Sequence, residues 1–339
     1  MKRLFYILPG FCLFLLACQK EENSSFADYM GLKIPSGFPL PEIPTDNILS
    51  FEKVSLGRRL FYDPIMSRDS SRSCASCHAP HLAFSDSIAV SFGVENRSGT
   101  RNSVSLANVV YQKKLLREGG VPTLEMQILV PIQEHNEFDF NILEVAERMK
   151  SIPEYTEASL SIFGRLPDAF VITRSIAAFQ RTLISGDSPF DQWFFQGNSK
   201  AVSESVKRGF SLFNSQKLNC SVCHSGFLLT NQSFVNNGLY EVYKDSGRIQ
   251  LTGLEVDRGV FKVPSLRNIA LTKPYMHDGS LSTLESVIEH YQSGGKDHPN
   301  RSAFIKPFSL TESEKQDLIS FLVSLTDHNF VNNPMFHKP

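Results

Sequence analysis

Two short motifs in the sequence each combine a pair of cysteines with a histidine. They read Cys74-Ala-Ser-Cys77-His78 and Cys220-Ser-Val-Cys223-His224. Two thiols separated by two residues can each form a thioether with one vinyl group of a haem, and the histidine that follows is then placed to bind the iron. Each motif therefore predicts one covalently attached c-type haem.

Zinc and a redox-active dithiol are the alternatives for paired cysteines. In a zinc site the second pair usually follows the first within about 20 residues. Here the two pairs lie in opposite halves of the chain, and a histidine follows each of them. This arrangement favours haem over both alternatives.

The other two of the six cysteines lie near the N-terminus. Residues 1–17 combine Lys2 and Arg3 with an apolar run that contains Cys12 and is too short to span a bilayer, which is typical of a secretory signal peptide. The run ends in Leu-Leu-Ala before Cys18, which resembles a bacterial lipobox and predicts lipidation of Cys18. An ordinary signal peptide with a later cleavage site is the alternative. Neither leaves a cysteine for a structural disulfide.

Export and lipidation predict a protein on the periplasmic side of a bacterial membrane, attached to that membrane through lipid alone. The formal net charge of −1 gives no electrostatic case for binding nucleic acid. At 339 residues the chain is long enough for two domains, each with its own core.

An internal repeat indicates which elements position the two motifs. Gly57-Arg-Arg-Leu60-Phe61 precedes the first motif, and Gly209-Phe-Ser-Leu212-Phe213 precedes the second. Each copy is predicted to be a helix, a turn that bears the cysteines, loops and a closing helix. The expected fold is all-α, with two cytochrome c-like domains that each hold one covalently bound haem. The expected boundaries are 18–45 for a tether and proline-rich lead-in, 46–195 for the N-terminal domain, 196–330 for the C-terminal domain and 331–339 for a tail.

Periodic apolar residues predict the individual helices. Asp46 is expected to cap a helix that runs to about Phe61, and Thr311 to open the closing helix through a capping box with Glu314. Further helices are predicted at 142–150, 154–163 and 168–184, the last with Phe170, Ile176, Ala177, Phe179 and Leu183 buried.

The remaining segments are predicted to be irregular. Prolines make residues 34–44 extended, and we expect the folded part of the chain to start after them. No region is rich in strand patterns, and the glycine-containing stretch 236–258 is predicted to be loop with at most a small hairpin.

Several separated stretches resemble, in the same order, the bacterial di-haem cytochrome c peroxidases and the MauG-type enzymes of the same superfamily. They are LGRRLF before SCASCH, the run FKVPSLRNIALTKPYMHDGSLSTLESVIEHY from Phe261 to Tyr291, and the ending from Leu318 to Asp327. The resemblance spans about residues 43–327. It implies two packed cytochrome c domains with the haems near their interface, and His78 and His224 as the proximal iron ligands.

The resemblance also implies that peroxide reacts at the N-terminal haem. In resting peroxidases a second histidine binds this iron, and the matching residue here is Val94, so we expect an open haem that needs no reductive activation. Gln127 and Glu137 match the family's distal glutamine and glutamate. A carboxylate can move a proton from the inner to the outer peroxide oxygen, which makes Glu137 the expected acid/base. Glu134 and His135 are local competitors, and a solvated loop position is the alternative for Glu137.

The sixth ligand of the C-terminal haem has two candidates. The peroxidases use methionine, whereas the alignment places Tyr291 at this position, as in the MauG-like branch. Methionine raises the iron potential, and an anionic oxygen ligand should lower it. Met276 lies in a loop and is the competing ligand, in which case Tyr291 is a core residue of a helix.

Two further implications concern the region between the haems. Family members usually hold a tryptophan there, but this chain has Arg117, and its single tryptophan is Trp193 in another segment. The family also has an interdomain calcium ion, for which the matching residues are Asn102, Thr272 and Pro274. An ordinary turn is the alternative for these three residues.

The expected function is reduction of hydrogen peroxide at the N-terminal haem. Electrons would come from a small periplasmic cytochrome c or copper protein and pass through the C-terminal haem. The alternatives are a MauG-like oxidase that modifies a protein partner and a non-catalytic di-haem electron carrier. A homodimer is left open.

Overall fold

A computed structural model of the chain describes residues 26–29 and 31–339, so the predicted signal peptide and Cys18 lie outside it. Its regular elements are mostly helical. The helices are α1 Phe51–Tyr62, α2 Leu124–Gln127, α3 Leu129–Gln133, α4 Ile142–Lys150, α5 Pro153–Phe163, α6 Ala169–Arg181, α7 Pro189–Phe194, α8 Glu204–Phe213, α9 Cys220–Cys223, α10 Ile249–Thr252, α11 Leu284–Gln292, α12 Glu312–Val323 and α13 His328–Val331.

The internal repeat corresponds to two similar pairs of crossing helices. Helix α1 packs on α6, and helix α8 packs on α12. A Cβ atom on Gly57 would come within 1.8 Å of the Ser175 carbonyl oxygen, and one on Gly209 within 1.9 Å of the Asp317 carbonyl oxygen. The repeated glycine therefore lets two helix backbones touch at each crossing.

Apolar side chains gather in two large clusters, one around each helix crossing. The first cluster runs from Leu56 to Leu183 and also takes in Phe330, Val331 and Phe336 from the end of the chain. The second cluster runs from Phe190 to Leu325. The residues predicted to form a tail thus pack against the first cluster. The domain boundaries themselves stay a prediction.

Helix prediction succeeded where the capping signals are local. Helix α4 has the predicted bounds, and α5 begins one residue earlier than predicted, at Pro153. The capping box is confirmed, because Glu314 N–H donates to Thr311 Oγ1 (3.2 Å) and Thr311 N–H donates to Glu314 Oε2 (2.8 Å). Asp168 caps α6 through Val171 N–H (2.9 Å), and this helix ends at Arg181, before the predicted end.

The predicted cap of the first helix was wrong. Helix α1 begins at Phe51, and Ser50 Oγ accepts from Lys53 N–H (3.2 Å). Asp46 lies in a short 3-10 turn and pairs with Arg174 (2.6 Å). The buried Asn47 side chain donates to Glu125 Oε1 (2.6 Å), which holds this turn outside the helix.

The predicted burial of Phe170 was also wrong, because its side chain is 36% exposed. Its ring lies between the guanidinium groups of Arg165 and Arg174, at 4.9 and 3.8 Å from the ring centroid. Cation–π contact at the first turn of α6 replaces the predicted apolar contact. The other four predicted residues of this helix and its end are buried.

The segment before α1 is folded, contrary to expectation. Strands β1 (Phe26–Tyr29) and β2 (Leu32–Pro35) form an antiparallel hairpin. Leu32, Ile34 and Phe38 are buried together in a small apolar cluster. Their burial stabilises the lead-in despite its prolines.

The stretch 236–258 is flanked by strands β3 (Phe234–Val235) and β4 (Phe261–Lys262), which pair antiparallel, in line with the small hairpin that the prediction allowed. The short helix α10 inside the stretch was not predicted. Within the described ranges, no helix has the length and apolar character needed to cross a membrane.

Candidate functional site

The first motif lies on the wall of a cavity of about 1060 Å³, here called the N-terminal cavity. A 3-10 turn formed by Cys74–Ser76 carries both thiols, and His78 N–H donates to the Cys74 carbonyl (3.0 Å). Ser73 fixes the start of the turn by donating its N–H to Ser76 Oγ (3.0 Å). The turn therefore presents Cys74, Cys77 and His78 to one space.

The imidazole of His78 is oriented for ligation. A carbonyl oxygen only accepts hydrogen bonds, so the contact between His78 Nδ1 and Phe84 O (2.9 Å) places the ring proton on Nδ1. Burial lowers the pKa of His78 below its ordinary value and keeps the ring neutral. The lone pair of Nε2 is then free for a metal, as is usual for a ligating histidine whose other nitrogen bonds a carbonyl.

The second motif repeats this arrangement in a cavity of about 240 Å³, here called the C-terminal cavity. Helix α9 carries Cys220 and Cys223, and His224 follows it on the same wall. His224 Nδ1 donates to Leu229 O (3.2 Å), and burial lowers the pKa of His224 to about 4. A neutral imidazole again presents Nε2 as the ligand atom.

The donor sets distinguish haem from zinc. In the described part of the chain, no three His, Cys, Asp or Glu side chains converge as metal ligands, so a tetrahedral zinc site lacks its donors. The four motif cysteines are unpaired thiols. Each cavity instead offers two thiols and one histidine on a single wall, which fits a macrocycle attached through both vinyl groups.

The N-terminal cavity also holds the predicted distal residues. Gln127, Glu134 and Glu137 line the N-terminal cavity. Helix α2, which bears Gln127, is anchored on α6 by the ion pair of Glu125 with Arg181 (2.6 Å). The structure thus brings the predicted glutamine and glutamate into the same cavity as the first motif.

Glu137 is held by backbone contacts. Val94 is fully buried, and its N–H donates to the Glu137 carbonyl (2.8 Å). A Cβ atom on Gly93 would lie 2.3 Å from that carbonyl oxygen, so only glycine permits this approach. Sequence reasoning missed Gly93, for which a glycine in the loop was the only signal.

The environment of Glu137 makes its carboxyl a neutral-pH acid. Burial, and to a lesser extent repulsion by Glu134, raises the pKa of Glu137 to about 7. His135, the other predicted competitor, is two-thirds exposed and pairs with Asp139 (3.2 Å) in a surface cluster. The geometry separates His135 from the cavity and leaves Glu134 as the neighbour that tunes Glu137.

Both candidates for the sixth ligand line the C-terminal cavity. Tyr291 projects from α11, and burial raises its pKa to about 12. Met276 lies in a loop with a positive φ of 78°. Asn237 contacts both, since its Nδ2 lies 3.3 Å from Met276 Sδ and its hydrogen bond lowers the pKa of Tyr291. Asn237 was not predicted, and nothing local in the sequence marks it.

Arg117 and His277 line both cavities. The guanidinium of Arg117 donates to the carbonyl and side-chain oxygens of Asn102 (2.7–3.0 Å). Burial, and then repulsion by Arg101, lowers the pKa of Arg117 to about 10, so it keeps its charge at neutral pH. His277 stacks on Phe261 with ring centroids 4.2 Å apart.

Known proteins are similar in sequence to this chain over most of its length. The methylamine utilization protein MauG of Methylorubrum extorquens is 39% identical over 316 residues, which cover 91% of this chain and 88% of the relative. The chain belongs to the di-haem cytochrome c peroxidase family. The family model described as di-haem cytochrome c peroxidase matches residues 51–200.

Other relatives of this chain include both a peroxidase and a MauG-like protein. The cytochrome c551 peroxidase of Nitrosomonas europaea is 32% identical, with 85% of this chain and 83% of the relative covered. A crystal structure of a MauG-like protein associated with microbial copper homeostasis has a TM-score of 0.86 and 34% identity, and the match covers 90% of this chain and 98% of that one. Both peroxidases and MauG-type proteins are therefore among its relatives.

The calcium site of the peroxidase family does not fit the residues present. Both oxygens of Asn102 accept hydrogen bonds from Arg117, so a calcium ion in contact with either would lie beside a guanidinium charge. Thr272 Oγ1 donates to the Ile269 carbonyl (3.3 Å) as in an ordinary turn. The haem attachment residues, in contrast, fit the group that the family name implies.

Proposed function

We propose that this chain is a di-haem peroxidase that reduces hydrogen peroxide in the N-terminal cavity. The observation that carries the proposal is Glu137, a carboxyl with a pKa raised to about 7 in the same cavity as Cys74, Cys77 and His78. An acid whose pKa lies near the working pH is the effective proton carrier in catalysis.

The first motif would hold the reacting haem, and the second motif the haem that delivers electrons. Cys74 and Cys77 would form the thioethers of the reacting haem, and His78 Nε2 would bind its iron. When bound, this haem would supply a redox-active iron that binds and reduces peroxide. Val94 cannot bind iron, so no second protein ligand at that position competes with peroxide.

The protein's own contribution is proton transfer and orientation. Hydrogen peroxide takes up two electrons and two protons and leaves as two water molecules. Glu137 as carboxylate accepts the proton of the inner oxygen and returns it to the outer oxygen, which departs as water. The amide of Gln127 donates a hydrogen bond to peroxide and thereby orients it. His78 keeps its ring neutral throughout, through Phe84 O.

The electrons follow a path through the C-terminal half. Cys220, Cys223 and His224 would hold the second haem, and Tyr291 or Met276 would be a further ligand of its iron. Reducing electrons come from a small periplasmic cytochrome c or copper protein, which agrees with the export and lipidation predicted from the sequence. We assign residues 46–195 and 196–330 to the two cytochrome c-like domains.

Replacement of Glu137 tests the proton-transfer step. Glu137→Gln keeps the shape and removes the titrating group, so the rate of peroxide consumption by the di-haem protein is expected to fall by roughly 10²–10⁴-fold. Glu134→Gln is the matched control, and its rate at pH 8 or so should stay within a few fold of the parent. If Glu137→Gln consumed peroxide at the rate of the parent protein, Glu137 would not be the acid/base.

A second function is favoured by one observation, the position of Tyr291 in the C-terminal cavity. A phenolate ligand favours ferric and higher iron states, which suits a MauG-like oxidase that withdraws electrons from a protein partner. Steady oxidation of a reduced cytochrome c by peroxide supports the peroxidase. Fast reaction with peroxide but no turnover with reduced donors supports the oxidase, and no reaction at all leaves an electron carrier.

A further inference from the structure

The guanidinium of Arg117 donates hydrogen bonds to both oxygens of Asn102. Its Nε lies 3.0 Å from the Asn102 carbonyl oxygen, and its Nη2 lies 2.7 Å from the same atom and 2.9 Å from Asn102 Oδ1. These distances are typical of well-formed hydrogen bonds. A planar fork with a permanent charge is suited to hold two oxygens at once.

Asn102 is fixed from its other sides as well. The residue is buried, its Nδ2 donates to the Ile88 carbonyl (3.2 Å), and its N–H donates to the His277 carbonyl (2.8 Å). The contact with His277 joins the N-terminal and C-terminal halves of the chain. The two Asn102 oxygens are thus held in place on the wall of the N-terminal cavity, and both accept from the guanidinium of Arg117.

The acidic groups around this point already have partners. Arg101 pairs with Glu118 and, at 2.6 Å, with Asp245, while Tyr240 donates to Asp278 (2.7 Å). Calcium takes six to eight oxygen ligands from carboxylates, carbonyls and waters, and negatively charged ligands raise its affinity. Beside the charges of Arg101 and Arg117, a divalent ion would meet repulsion from two cations.

We propose that Arg117 replaces the interdomain calcium ion that the family resemblance implies, so that this protein carries its own cation between the two cavities and binds no calcium there. The same residue stands where family members hold tryptophan. One departure from the family pattern therefore has two effects, because it removes an aromatic side chain and supplies a fixed positive charge. The inference does not depend on peroxide chemistry.

Metal analysis of the di-haem protein tests the proposal directly. The protein is purified in calcium-containing buffer, and one half is dialysed against EGTA. We expect no calcium above the buffer background in either half, and the same melting temperature and optical spectrum for both. One tightly held calcium ion per chain, with a loss of stability after EGTA, would overturn the proposal.

A variant tests whether the Asn102 oxygens form a cation site at all. Arg117→Gln removes the guanidinium and frees both oxygens, so added calcium should raise the melting temperature of this variant and leave that of the parent unchanged. Arg258→Gln, which breaks an exposed pair with Glu255, is the matched control and should not respond to calcium. If calcium also left the melting temperature of Arg117→Gln unchanged, the proposal that Arg117 replaces a calcium ion would be wrong. Calcium content and melting temperature can be measured without enzyme turnover, so their outcome is independent of the peroxidase proposal.

Discussion

At the scale of single residues, the chemistry proposed for the N-terminal cavity depends on two neighbouring carboxyls. Burial alone would raise the pKa of Glu137, and the nearby Glu134 raises it further. A raised pKa means that Glu137 is a carboxylate only above about pH 7. If Glu137 must accept a proton from peroxide, activity requires that carboxylate.

The first prediction follows from this charge pair. The rate of peroxide reaction should rise with pH through about 7 as Glu137 loses its proton. In Glu134→Gln the repulsion is gone, the pKa of Glu137 falls, and the rise should move to lower pH. Stopped-flow rates across the pH range give both inflections. Unchanged inflections in the two proteins would show that another group controls the reaction.

The sixth ligand gives a second prediction at this scale. Burial raises the pKa of the Tyr291 phenol to about 12, so it loses its proton to solvent at neutral pH only where a strong positive charge such as ferric iron stabilises the phenolate. If it is the ligand, Tyr291→Phe should change the resting optical and electron paramagnetic resonance spectra of one haem, and Met276→Leu should not. The reverse pattern would assign the ligand to Met276.

At the scale of elements, the two haem motifs are held by helix pairs that touch through glycine. At the α1–α6 crossing the atom nearest to Gly57 is a backbone oxygen, which cannot move away without separating the helices. The same holds for Gly209 at the α8–α12 crossing. The repeat was visible in the sequence, but its reason required both helices of each pair.

A third prediction concerns this contact. Gly57→Ala should improve helix propensity by up to about 1 kcal/mol, yet overpacking at the crossing costs about 1–3 kcal/mol or more, so the net effect is destabilising. Denaturant unfolding of the di-haem protein measures it. Glu52→Ala on the exposed side of α1 is the control and should change the free energy of unfolding by a few tenths of a kcal/mol. Equal effects would show that the crossing tolerates a methyl group.

At the scale of the whole molecule, sequence could reveal only what neighbours in the chain determine. The haem motifs, the capping box at Thr311 and the repeat are local signals, and the structure places each as expected. The start of α1 was missed because Asn47 is anchored on Glu125, far along the chain. The contact between Arg117 and Asn102 and the return of Phe336 to the first cluster depend on long-range packing in the same way.

This packing places one fixed charge between two redox sites, which leads to the last prediction. Arg117 lines both cavities, whereas Lys262 lines only the C-terminal cavity. A nearby positive charge stabilises the ferrous state of a haem relative to the more positive ferric state. Arg117→Gln should therefore lower the midpoint potentials of both haems, on the order of tens of millivolts each.

Lys262→Gln is the matched comparison for this charge. Burial, and then repulsion by Arg117, lowers the pKa of Lys262 to about 8, so the amine is mostly charged at neutral pH. Its removal should lower chiefly the potential of the haem held by His224. In the parent, that potential should also fall as pH rises through about 8, because Lys262 loses its proton there, and this fall should vanish in the variant. Spectroelectrochemical titration resolves the two haems, and equal shifts from both variants would contradict the placement of Arg117 between them.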